Sequence, residues 1–345
     1  MTPDADLLII GGGPVGLAAA IEGRLAGLSV IVVEPRATPV DKACGEGLMP
    51  GAVAALARLG VRPQGHTLTG IRYLRGPRVA DHLFATTPGL GARRTALHAA
   101  LAQRAAELGV VVVPGRGGAV EQDADAVVCA GIRGRWLLGC DGLHSTVRRQ
   151  VGLALDRDGT GRRFGVRRHF RVEPWTDLVE VHWGHSVEAY VTPVADDVVG
   201  VALLGPAHQD YERTLDSFEA LRRHLGDAET LGPARGAGPL HQRTRRRTAG
   251  RVRLVGDASG YVDALTGEGV RVGLAQARAA IETLDDDVTR SNAAYEKAWT
   301  AATRDYRLLT SGLLMAARSP LRRSIVPLAA TAPRLYGAVV ERLAR

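Results

Sequence analysis

Residues 6–10 (DLLII) form a short apolar run that breaks at Gly11-Gly12-Gly13-Pro14-Val15-Gly16, after which residues 17–25 repeat small and apolar side chains at helical spacing up to Gly27. Residues 29–33 (SVIVV) are β-branched and continuous, as a strand buried on both faces requires, and stop at Glu34. This pattern predicts strand, glycine-rich turn, helix, strand and acid. Further helices are predicted over 50–59 and 95–108, the second leading into a strand at 110–113, and paired strands over 127–130 and 136–140. Beyond residue 150 the period changes. Segments 163–172, 178–183, 187–192 and 198–204 alternate between Pro, Gly and Asp turns, which predicts an antiparallel sheet. A short buried strand at 251–255 precedes a helix over 269–284, and the remainder reads as helix punctuated at Pro320, Pro327 and Pro333.

With 345 residues, 46% hydrophobic and 23% charged, the chain can bury one large core or two moderate ones, which excludes disordered and fibrous classes. No run reaches the ~18 apolar residues of a spanning helix. Asp4 and Asp6 stand where a signal peptide would be basic, so a cytoplasmic location is expected. Cys44, Cys129 and Cys140 have neither disulfide-framework nor zinc-ligand spacing, so reduced thiols are expected, with Cys129 and Cys140 in the core. The net charge of +8 raises the question of nucleic acid, but lysine occurs only at Lys42 and Lys297 and arginine is spread along the chain. No nucleic-acid partner is expected. The densest group, Arg243, Arg245, Arg246 and Arg247, is read as a solvated turn.

Gly11, Gly13 and Gly16 satisfy G-x-G-x-x-G between a strand and a helix, and Glu34 stands where a carboxylate accepts bonds from ribose hydroxyls. Phosphates would sit at the helix N-terminus, beside Pro14, where unpaired N–H groups and the dipole favour negative charge. A dinucleotide site is therefore expected, extending to Arg36. At the distant end, residues 253–274 read RLVGDASGYVDALTGEGVRVGL: a strand, Gly256-Asp257, then Gly267-Glu268-Gly269 opening a helix.

Here the sequence resembles the flavoprotein superfamily that contains para-hydroxybenzoate hydroxylase and the geranylgeranyl reductases. The resemblance implies an α/β fold, with a Rossmann-like FAD-binding domain on a parallel sheet and a second domain on an antiparallel sheet. It also implies that Asp257 holds the ribityl chain and that the Gly267–Gly269 backbone faces the flavin pyrimidine, where a helix N-terminus would stabilise the reduced ring. Two more matches are Gly139-Cys140-Asp141-Gly142, whose Asp141 and Gly142 the resemblance places beside the cofactor with Ser145 and Arg148 nearby, and Arg94 at a helix start, which matches the family's flavin-contacting arginine. Cys44-Gly45-Glu46-Gly47 is most similar to the geranylgeranyl reductase branch, where this segment lies against the isoalloxazine. Cys44 is open to three roles: packing, proton donation or redox chemistry. Ala264 replaces a usual proline, and Glu188-Ala189-Tyr190-Val191-Thr192-Pro193 lacks the tryptophan of the reductases.

The expected organisation is a discontinuous FAD-binding domain (1–70, 95–150, 243–310), a substrate domain (71–94, 151–242) and a helical segment (311–345). The compact substrate domain and the missing tryptophan point first to an NAD(P)H-dependent flavin monooxygenase acting on a phenolic or polyketide-like molecule, NAD(P)H binding transiently. The cysteine motif points to reduction of isoprenoid double bonds. A third reading, flavin binding at a membrane surface without turnover, rests on the arginines and apolar residues of 318–345. Cys44, Tyr190 and His182 are the catalytic candidates, although strand alternation allows only one of His182 and Trp183 to face the substrate.

Overall fold

The computed structural model describes residues 2–155, 162–207 and 210–345. Its eight-stranded sheet is built around the parallel strands Val252–Leu254, Ile132–Gly139, Ala5–Ile10, Val30–Val33 and Val111–Val113, in that spatial order. The alternation of Ala5–Ile10 explains its place at the centre. Leu7 and Ile9 pack on one side against Leu17, Ile21, Leu97 and Leu101 of two helices, whereas Leu8 and Ile10 pack on the other against Val127, Val147 and Leu254. Both faces are covered from Leu7 to Ile10, so that part of the strand is wholly apolar, and the one charged residue, Asp6, lies near the strand's start, where it accepts from Ser29.

The second sheet has seven strands in the order Glu229–Ala237, Phe164–Arg171, Val198–Gly205, Glu188–Ala195, Leu178–Trp183, Gly70–Arg75 and Arg78–Leu83. Its outer face carries Phe170, Ala189, Val191 and Val201 beneath the helices Tyr211–Asp216 and Glu219–Leu225. The opposite face carries Val181, Trp183 and Leu204, packed against Leu314 and Val326 of the final helices. Those are the 30-residue helix Val288–Ala317, the turn Pro320–Ser324, and the helices Ile325–Thr331 and Pro333–Ala344. Pro320 and Pro333 each open an element, consistent with proline's tolerance at a first turn. No helix among the described residues is long and apolar enough to cross a membrane.

The paired strand expected at 136–140 begins earlier, at Ile132, because its first residues form a hairpin with Val127–Cys129. The alternating pattern did not predict the edge strand Glu229–Ala237, the hairpin Gly70–Leu83 or the two short helices on the outer face. A three-stranded sheet of Gly47–Leu48, Gly89–Gly91 and His66–Leu68 is likewise additional.

Candidate functional site

A cavity of about 510 Å³ runs between the two large sheets, and the glycine-rich turns form one end of it. Gly11 has φ +105°, and a Cβ there would lie 2.6 Å from the Cys140 carbonyl oxygen; at Gly16 it would lie 1.9 Å from the Gly11 oxygen. Only glycine permits this approach of backbone to backbone. The helix Pro14–Leu25 starts at Gly13 with no side-chain cap, so its first N–H groups remain available. Glu34 accepts the Gly12 N–H at 2.8 Å and Arg36 Nε at 2.7 Å. Burial pushes its carboxyl up, but these bonds outweigh burial and keep it below the usual range.

Arg94 opens the helix Arg94–Glu107 and donates its N–H to Glu46 Oε1 at 2.8 Å. Its guanidinium lines the cavity, its Nε is buried without a partner, and burial lowers its pKa. Asp141 accepts from the N–H groups of Thr146 (2.6 Å) and Val147 (3.1 Å), while its Oδ1 is buried and unpartnered. Gly142 lies beside Lys42, whose Nζ is 3.3 Å from where a Cβ would stand. Across the cavity, Gly256 donates to Gln276 Oε1 at 2.6 Å, and Asp257 and Gly267-Glu268-Gly269 line the wall. The helix Gly269–Glu282 therefore begins at the cavity. Arg148 fastens the two motifs together: its guanidinium donates to Leu143 O (2.8 Å), Ala258 O (3.0 Å) and Gln242 Oε1 (2.9 Å).

These residues fit FAD. Two glycine turns leave room for a backbone-hugging pyrophosphate and ring, and the unpaired Arg94 Nε, Asp141 Oδ1 and Glu268 Oε1 are donors and acceptors that a polar cofactor would satisfy.

Beyond the cradle, Cys44 is half-buried, and its Sγ accepts the Glu46 N–H at 3.4 Å. Thr192 donates to Gly45 O at 2.9 Å and holds this segment against the second sheet. Glu46 adopts φ +61°, which is strained for a side-chain-bearing residue, and is fully enclosed. Its Oε2 is 2.6 Å from His169 Nε2, and Arg167, 3.1 Å from His169 Nδ1, donates to Asp41 at 2.6 Å. Sequence reasoning gave His169 no role; its parity with Arg167 on one strand, opposite the Glu46 motif, was the available signal. Tyr190 lines the cavity and donates to Leu265 O at 2.6 Å, and its burial raises its pKa.

His182 is not brought to the site. It shares a face with Leu178 and Glu180, bonds Glu180 Oε2 at 3.0 Å and lies edge-on to Phe218 of the outer helices. Trp183 faces the opposite way, under Arg322. Cys129 is in the core, whereas Cys140, expected there too, also borders the cavity. Arg243, Arg245 and Arg246 are exposed, and Arg247 covers the Trp299 ring at 3.8 Å.

Comparison with known proteins adds four findings. A model of the FAD binding domain matches residues 4–293. Menaquinone reductase of Mycolicibacterium smegmatis is 30% identical, covering 99% of this chain and 93% of that protein. Rifampicin monooxygenase of Streptomyces venezuelae is 28% identical, over 79% of this chain and 62% of its own length. Among solved structures, p-nitrophenol 4-monooxygenase PnpA from Pseudomonas putida superposes with a TM-score of 0.81 at 19% identity, covering 100% of this chain and 99% of that one.

Proposed function

Since the chain belongs to the FAD-binding domain family and is an FAD-dependent oxidoreductase, we propose that it reduces a carbon–carbon double bond in an elongated, apolar, isoprenoid-like molecule. One observation carries this reading: the cavity continues from the cofactor cradle into an apolar compartment between the second sheet and the final helices, lined by Ile71, Val181, Leu204, Leu313 and Leu335. A chain-like substrate would fill such a channel. The near full-length match to menaquinone reductase supports the same direction.

FAD, when bound, supplies a hydride, with NAD(P)H as transient reductant. Gly11, Gly13, Pro14 and Gly16 would receive its pyrophosphate, Glu34 and Arg36 its adenosine, Asp257 its ribityl chain, and Arg94, Asp141, Gly142, Gly256 and Gly267–Gly269 its remaining polar edge. The chain's own contribution at the reacting end is Cys44, whose Sγ borders the cavity and can hold the proton that the second carbon requires. Thr192 keeps Gly45, and with it Cys44, in register with the sheet.

A second reading, hydroxylation of a phenolic or polyketide-like ring, is supported by the aromatic wall of Tyr73, Tyr190, Tyr261 and Tyr336 in the same cavity. Oxygen separates the two. Under the reductase reading the substrate gains two hydrogens anaerobically when NAD(P)H is supplied, and Cys44→Ala retains FAD but loses about 100-fold in turnover. A product that forms only with oxygen and carries its isotopic label would replace this reading with the second.

A further inference from the structure

Six large apolar side chains among the described residues are between 62 and 72% exposed: Leu83, Leu308, Met315, Leu321, Leu328 and Leu335. Five belong to the final helices and their connecting turn, and the sixth ends the edge strand against which the helices Ile325–Thr331 and Pro333–Ala344 pack. Scattered exposed leucines are ordinary, but six at one end of a fold call for a partner. In Pro333–Ala344 the inward residues Tyr336, Val340 and Leu343 are already buried, so Leu335 is surplus to the core. Leu328 and Leu335 also line the cavity, which makes them the rim of its mouth.

The charge around this rim has one sign. Residues 307–345 contain seven arginines and a single carboxylate, Glu341, which amounts to six of the chain's eight net positive charges. Glu341 is engaged by His82 Nε2 and the Ala85 N–H, both at 2.9 Å. Arg323 and Arg334, each within seven residues of an exposed leucine, are themselves exposed. Arg322 is buried against Glu188 and Arg342 pairs with Asp305, so the exposed Arg323 and Arg334 carry the charge beside the leucines, and an apolar rim flanked by exposed arginine matches a surface that is apolar within and anionic without.

We propose that the rim Leu321–Leu335 docks on an anionic lipid bilayer, its leucines entering the acyl region and its arginines meeting the headgroups, so that the mouth of the cavity opens into lipid. A membrane-dissolved substrate could then reach the cofactor without crossing water. The docking surface is independent of the reaction catalysed; only this delivery route rests on the reductase reading.

The test is co-sedimentation of the FAD-loaded full chain with vesicles of phosphatidylglycerol and phosphatidylcholine, compared with phosphatidylcholine alone, at low and high salt. Binding is expected to the anionic vesicles, weakening with salt. The double variants Leu328→Asp/Leu335→Asp and Arg323→Glu/Arg334→Glu should each weaken it about tenfold or more while keeping the bound-flavin spectrum. No binding at low salt, or undiminished binding by the leucine variant, would overturn the proposal. So would a dimer of the FAD-loaded chain that the leucine variant dissociates, since a second copy would then cover this face. Because the flavin spectrum is read in the same samples, failure to dock is distinguishable from failure to hold FAD.

Discussion

Glu268 stands where the helix Gly269–Glu282 meets the cavity, with one carboxylate oxygen paired to Arg271 and the other buried without a partner. Burial outweighs the arginine and pushes its pKa up from 4.5 to about 7. Between those values the folded chain keeps a proton that the unfolded chain has released, so stability falls as pH rises through the interval. The fall amounts to at most about 3 kcal/mol and levels off above the folded-state value. Glu268→Gln removes the titration. In thermal melts of the apoprotein, the Tm difference between about pH 5 and about pH 8 should shrink in the variant; an unchanged difference would mean that the carboxyl is not raised. At this scale the glycines were legible because each answers a local demand, such as the positive φ of Gly11 or the crowding at Gly16. The histidines were not, because strand pairing selects the face. His169 stands opposite Gly200, and the missing side chain there leaves room for Glu46, whose Oε2 is 3.1 Å from where a Cβ would be. His182 stands opposite Ala189, which faces the outer cluster.

Among the elements, the turn Pro320–Ser324 holds the final helices to the second sheet through one residue. The Arg322 guanidinium, buried over the Trp183 ring, donates to Gly184 O (2.9 Å), Val187 O (2.9 Å) and Ala317 O (3.1 Å), and pairs with Glu188 at 2.5 Å. Glu188 keeps a second partner in Arg163, so it is not left wholly uncompensated when Arg322 is lost. Arg322→Met should therefore cost about 3 kcal/mol, towards the low end for a broken buried pair. A lower Tm accompanied by faster proteolysis beyond the helix Val288–Ala317 would support this role, whereas an unaltered cleavage pattern would show that the helices are held elsewhere. The central strands of this sheet were readable as apolar segments between turn residues. The edge strand Glu229–Ala237 was not. It contains Gly232 and Pro233, is exposed along nearly its whole length, and pairs only with Phe164–Arg171, through an irregular register. The hairpin Gly70–Leu83 carries arginines at Arg72, Arg75 and Arg78 that hide its alternation.

For the molecule as a whole, the decisive arrangement is two compartments in series, a polar cradle made by the first sheet and an apolar channel made by the second sheet with the final helices. The sequence motifs mark the cradle, since Gly13 and Gly267, far apart in the chain, border one cavity. They carry no trace of the channel, because its wall is ordinary leucine and valine whose meeting depends on where helices end and fold back. A series arrangement makes a prediction that a single open pocket does not. Leu313, on the helix Val288–Ala317, lines the cavity alongside Leu328 of the rim, and both belong to the helical cover of the channel rather than to the cradle. Leu313→Trp would narrow the channel while leaving the cofactor contacts intact. With long-chain apolar substrates KM should rise about tenfold, the loss expected when one or two methylenes' worth of burial is denied. A short analogue that reaches no further than Tyr190 should be turned over within about twofold of the unaltered chain, and flavin content should not change. Equal losses for long and short substrates would mean that the indole had disturbed the reacting end, and that the two compartments are one.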